Sequence, residues 1–149
     1  MPDFMKWNDD WLLGIDILDT QHKGLAECIN TLASECEQAR NASPEIMEKR
    51  KIALAQLLDD LYITTKLHFS FEEDMMREEN YPALAAHARE HVMLIGELKA
   101  TFINGLKDGR CNLNPDNLRA LKSWLIAHVS QSDREFANFV LKKEQCGNA

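Results

Sequence analysis

The sequence predicts an all-α protein, an up-down-up-down antiparallel four-helix bundle with an N-terminal arm. Apolar residues recur at alternating spacings of three and four along four separate runs. Recognisable start and stop residues bound those runs, and no alternating strand pattern competes with them. A chain of 149 residues suits one domain with a single core, so residues 1–149 are expected to form one unit.

The elements follow in order. Residues 1–18, with Trp7 and Trp11, read as an arm whose aromatic rings pack on the bundle. Leu18, His22, Leu25, Ile29, Leu32 and Cys36 form the stripe of the first helix, which the polar stretch Gln38 to Asn41 ends. Ser43-Pro44 supplies an N-cap and a first-turn proline for the second helix, which turns Leu54, Leu57, Leu61, Thr65, His68, Glu72 and Met75 inward. Tyr81-Pro82 restarts the chain as a third helix with Leu84, His87, His91, Leu94, Leu98 and Phe102 on its stripe, closed by a loop around Gly109. Asn114-Pro115 repeats the cap-and-proline signal, and Leu118, Leu121, Leu125, His128 and Phe136 follow on the fourth helix. The bundle proper spans about 19–143, and its short connections favour antiparallel neighbours.

Composition narrows the function classes. A formal charge of −7 without any Lys/Arg cluster argues against nucleic acid or an anionic membrane as principal partner. Asp16 interrupts the most apolar early stretch, and the N-terminus lacks the basic and apolar regions of a secretory signal, so a cytoplasmic location is expected. The four cysteines form no C-x-x-C pair. On one helix Cys28 and Cys36 would stand about 12 Å apart, beyond disulfide reach, and all four read as reduced thiols.

The chemistry lies in what interrupts the apolar stripes. All five histidines fall on them, together with Glu72. One stripe histidine is ordinarily a hydrogen-bonded core residue. Five without partners, beside a carboxylate, would cost roughly 1–3 kcal/mol each, more than a marginally stable domain can absorb. His68 and Glu72, like His87 and His91, are four residues apart, so each pair can bracket one metal ion. In the predicted topology the start of the first helix, the end of the second, the start of the third and the later half of the fourth share one height, so the six residues converge on one layer. Asp133 follows His128 by five residues rather than four. Its inclusion needs side-chain reach or a π-bulge, because an undistorted helix would present Ser132 instead.

His22, "HFSFE" from His68 to Glu72, "HAREH" from His87 to His91 and "HVSQSD" from His128 to Asp133 together resemble the ligand pattern of the hemerythrin family, which includes bacteriohemerythrins. The likeness extends to "DTQH" before the first ligand, "YP" at the third helix and "WL" ahead of His128, covering nearly the whole chain. The resemblance implies a di-iron centre with an oxo or hydroxo bridge. His87, His91 and His128 would bind one iron and His22 and His68 the other, with Glu72 and Asp133 bridging. It further implies reversible dioxygen binding at one open position, for transport, storage, delivery or sensing, without enzymatic turnover. The same likeness implies a dioxygen pocket walled by Leu25, Trp124, Leu125 and Val129. The departures are a long first connection, Gln38 to Ser43, and the residues after Lys143.

Three other readings compete. A ferritin-like oxidase needs Glu-x-x-His pairs, and the residues three before the histidines are Asp19, Thr65, Leu84, Ala88 and Leu125. A hemerythrin-like enzyme reducing peroxide or nitric oxide would use the same centre, and a structural zinc pair would use the same imidazoles. No protein partner is indicated.

Overall fold

A computed structural model of the chain describes residues 6–107 and 114–147. The loop around Gly109, and with it Cys111, lies outside the described residues. Four helical rods account for almost all of the rest, and no strand occurs among the described residues. They are α1 (Asp16–Arg40), α2 (Pro44–Glu78), α3 (Leu84–Glu97) and α4 (Pro115–His128). α3 continues without a break through a π-helical stretch, Leu98–Ile103, into Asn104–Lys107. α4 continues through a second π-helical stretch, Val129–Asp133, into Arg134–Gly147.

The predicted caps act as such. Ser43 Oγ accepts from Ile46 N at 3.4 Å and Asn114 Oδ1 accepts from Asn117 N at 2.8 Å, each followed by a proline in the first helical turn. The start of α3 differs from expectation. Tyr81-Pro82 belongs to a turn, and the helix opens at Leu84 after Ala83 without a side-chain cap. Asn80, at φ 54°, takes the left-handed conformation that turns the chain out of α2. The three residues between α1 and α2 permit only a reversal of direction, and α1 packs along α2, α2 against α3 and α4 against α1.

Along the stripes, burial follows the predicted period with local shifts. Leu18, His22, Leu25, Ile29, Leu32 and Cys36 are all buried on α1. On α2 Leu58 and Met76 are buried rather than their neighbours Leu57 and Met75, and Phe69 is buried as well. A helical face is about 100° wide, so sequence alone leaves adjacent positions close to equivalent. The core divides into two apolar layers. A large one gathers Leu25, Ile29, Leu32, Leu58, Leu61, Leu98, Phe102, Leu121 and Leu125. A smaller one holds Leu13, Leu18, Met76, Phe136, Ala137 and Val140. On α1, α2 and α4 the buried polar residues lie in sequence between members of these two layers, and this places a polar slab across the bundle.

The arm folds back over the bundle. Asn8 caps a single 3-10 turn, Asp9–Trp11. Asp19, 7% exposed, accepts from Leu13 N at 2.8 Å and Gly14 N at 3.2 Å, and Gly14 has φ 87°, a conformation that side chains disfavour. Arg134 donates to the carbonyls of Asp10 and Leu12 from the other side. Trp7 and Trp11 meet edge to face, 5.4 Å between centroids, and pack on the large apolar layer. Asp19→Ala is expected to leave two amides without their acceptor and to lower stability by roughly 1–3 kcal/mol. Urea unfolding followed by tryptophan fluorescence checks this, and an unchanged midpoint would show that the arm is held without Asp19.

Candidate metal centre

Each helix brings its polar residues to the slab through its own period. α1 contributes His22, α2 His68 and Glu72, α3 His87 and His91, and α4 His128 with Asp133. The structure therefore brings all seven sequence-predicted ligands together, each at most 5% exposed. The five-residue interval on α4 is accommodated by its π-helical stretch, which ends on Asp133. In an α-helix five residues turn through about 500°, some 140° away from His128. The wider π turn removes most of that offset and returns Asp133 to the stripe.

The ligand atoms form two groups. Glu72, His87, His91, His128 and Asp133 offer one set, and His22, His68, Glu72 and Asp133 the other, with each set's atoms within 4.8 Å of one another. Glu72 turns Oε1 to His87 Nε2 at 2.8 Å and Oε2 to His68 Nε2 at 3.0 Å. Asp133 likewise places Oδ1 3.0 Å from His87 and His128 and Oδ2 3.0 Å from His22. Each carboxylate thus presents one oxygen to each group.

Several of these distances are odd for a finished hydrogen-bond network. His22 Nε2 lies 3.1 Å from His68 Nε2, and His91 Nε2 lies 3.1 Å from His128 Nε2. Glu72 Oε2 and both Asp133 oxygens are buried without a hydrogen-bond partner among the described residues, despite imidazole nitrogens close by. Nearness without hydrogen-bond direction arises when lone pairs aim at a shared point. Ligands about 2.1 Å from one ion and at right angles stand about 3.0 Å apart, so the donor set fits two cations.

Electrostatics point the same way. Burial alone would lower the histidines, but the nearby carboxylates of Asp133 and Glu72 push His22 and His87 up to about 9 and His128 up to about 11. Burial would raise Glu72, yet the surrounding imidazoles, His128 first, hold it well below the usual carboxylate range. Asp133 is held down by His128, His22 and His87 against both burial and the charge of Glu72. Without a metal, protons stand where positive charge is wanted. Ligands must lose those protons to bind an ion, so metal and proton compete for the same lone pairs.

Outer partners orient three of the five imidazoles. Gln21 faces His68 Nδ1, Glu73 Oε2 lies 3.0 Å from His91 Nδ1, and Glu90 Oε1 lies 2.9 Å from His128 Nδ1. An Nδ1–H donated outward leaves the Nε2 lone pair free to face inward. Phe69 stacks on His91, with 3.8 Å between centroids and 6° between planes, and meets His128 at its edge. Sequence reasoning missed Gln21, Glu73, Glu90 and Phe69. All four adjoin a ligand in sequence (Gln21 beside His22, Phe69 beside His68, Glu73 beside Glu72, Glu90 beside His91), which was the available signal.

A small apolar cavity of about 10 Å³ borders His22 and is lined by Trp7, Trp11, Leu125, Ile126 and Val129. Two of the four pocket residues expected from the sequence, Leu125 and Val129, are on this wall. Leu25 is 1% exposed inside the large apolar layer and Trp124 packs against that layer, and neither lines the cavity. Ile126 and the arm's two tryptophans complete the wall, and local periodicity could not indicate the arm's share.

Residues 13–140 match the family described as Hemerythrin HHE cation binding domain. A bacteriohemerythrin from Stenotrophomonas maltophilia (strain R551-3) is 32% identical over 138 residues, covering 90% of this chain and 80% of that one. A myohemerythrin from Theromyzon tessulatum is 26% identical over 136 residues, covering 91% and 93%. A crystal structure of wild-type hemerythrin superposes with a TM-score of 0.74 at 25% identity, covering 91% of this chain and 96% of that one.

Proposed function

We propose, for a chain that belongs to the hemerythrin family, that it is a non-haem di-iron protein that binds dioxygen reversibly. The observation that carries this reading is the unequal sharing of ligands. Five residues, Glu72, His87, His91, His128 and Asp133, would hold one iron, and four, His22, His68, Glu72 and Asp133, the other. The poorer group keeps room for an exchangeable ligand, and its His22 borders the apolar cavity. When bound, two ferrous ions supply the electron pair that reversible dioxygen binding requires.

The chain's own residues govern access and protons. Leu125, Ile126, Val129 and the rings of Trp7 and Trp11 keep water from the His22 side. Among the described residues no carboxylic acid, thiol or phenol lines this cavity. A reductase acting on peroxide or nitric oxide would benefit from such a proton donor, so the wall favours a carrier over an enzyme. Among the described residues no helix is long and apolar enough to cross a membrane.

Purified protein is expected to hold two irons per chain, to change its visible spectrum on adding azide in air, and to regain its anaerobic spectrum on deoxygenation. Metal analysis and absorption spectroscopy check this. Stoichiometric zinc from iron-replete cells would overturn the metal assignment. Rapid peroxide or nitric oxide turnover with irreversible oxygen uptake would replace carrier by enzyme.

A further inference from the structure

We infer that Glu90 on α3 fixes the π-helical turn of α4 and thereby delivers Asp133 to both ligand groups. It is a positioning residue, and its metal consequence rests on the di-iron reading above. Glu90 accepts from His128 Nδ1 through Oε1 and from Ser132 Oγ through Oε2. One carboxylate therefore grips both ends of the π turn: His128 precedes Val129–Asp133, and Ser132 is its next-to-last residue.

The grip matters because the alternative is close at hand. An α-helical continuation would place Ser132, four residues on, about 40° from His128, and would swing Asp133 about 140° away. A π turn is rare, and something must favour it over the ordinary helix. Holding the Ser132 hydroxyl against α3 does so, since the α-helical register would carry that hydroxyl onto the ligand stripe. Asp133 is then left on the stripe, with Oδ1 facing His87 and His128 and Oδ2 facing His22.

Glu73 provides the contrast. It accepts from one imidazole, His91, whose helix is α3 rather than the π turn of α4. A carboxylate that only orients an imidazole should affect the ion which that imidazole holds. Glu90 should affect both ions, although its own partners, His128 and Ser132, both lie on α4 and its π turn. Glu90 is half-buried and its side chain is 39% exposed, so its replacement does not empty the core.

Two measurements on the full chain test this. In metal-free protein, Glu90→Ala is expected to speed amide hydrogen exchange across residues 129–133, Ser132→Ala to do the same, and Glu73→Ala to leave that segment unchanged. In cobalt(II) titrations followed by ion counting and visible absorption, Glu90→Ala is expected to weaken both ions about 10- to 100-fold, and Glu73→Ala only one. Glu90→Gln is expected to restore most of both effects, because an amide can accept from His128 and donate to a rotated Ser132 hydroxyl. Unchanged exchange at 129–133 in Glu90→Ala, or cobalt weakened at one position only, would overturn the inference. Failure of the unmodified chain to take up two cobalt ions would instead overturn the di-iron reading, while the exchange result would still decide whether Glu90 holds the turn.

Discussion

Asp133→Ala is expected to strip the protein of both metal ions, a larger effect than any other single replacement in the slab except that of Glu72. Asp133 is fully buried and turns one oxygen to each ligand group. On the proposed di-iron reading its loss would remove a ligand from both ions at once, which should exceed the roughly 10- to 100-fold weakening typical of outer partners. His22, His87 and His128 would also lose a carboxylate that holds them protonated in the metal-free state. Ser132→Ala is the matched control. Ser132 is not in either ligand group, so this variant should still load two ions at saturating metal. Metal content after gel filtration decides the matter. Two tightly held ions in Asp133→Ala, with an unchanged spectrum, would require another residue as the bridge.

Chelation is expected to turn the pH dependence of stability around. In metal-free protein, His22 and His87 titrate at about 9 and His128 at about 11, above the ordinary 6.5. A raised imidazole contributes stability that is complete below the unfolded value and is lost as pH rises through the folded one. The metal-free chain should therefore weaken steadily from about pH 6.5 to 11. Glu72 and Asp133 are held below the carboxylate range, so their contribution is present above about pH 4 and fades as pH falls through the folded values. The best window without metal is about pH 4.5–6.5. With metal the alkaline limb reverses, since ions bind more tightly as protons leave their ligands. Urea midpoints at pH 6, 8 and 10, with and without metal, should diverge as pH rises. A metal-free midpoint that stays flat from pH 6 to 10 would show that the slab's imidazoles are not charged as described.

The difference between the two kinds of ligand partner follows from depth. His22 and Glu72 have almost no exposed surface, so their interactions act in a medium that screens little. Glu73 and Glu90 sit at the rim, with side chains 21% and 39% exposed, where a neighbouring water can partly replace a lost oxygen. Replacing a rim residue should therefore loosen the centre, whereas replacing a slab residue should dismantle it.

By itself the sequence determined the helices and most of the slab. Ser43-Pro44 and Asn114-Pro115 announced two helix starts, because caps and first-turn prolines act within one turn of the chain. The spacings of His22, His68, Glu72, His87, His91 and His128 placed them on inward stripes, since helical period is a local property. Even the fault on α4 was legible as the mismatch of five residues between His128 and Asp133. Only the tertiary structure decided how that mismatch is held and what closes the site. Glu90 meets Ser132 across 42 residues of sequence, and Arg134 meets the arm's Asp10 carbonyl across 124. Trp7 and Trp11 of the arm line the cavity beside His22, together with Leu125, Ile126 and Val129. Such contacts depend on how far each helix is rotated and raised against its neighbours. Periodicity leaves both quantities open, and the packing of the two apolar layers on either side of the slab fixes them.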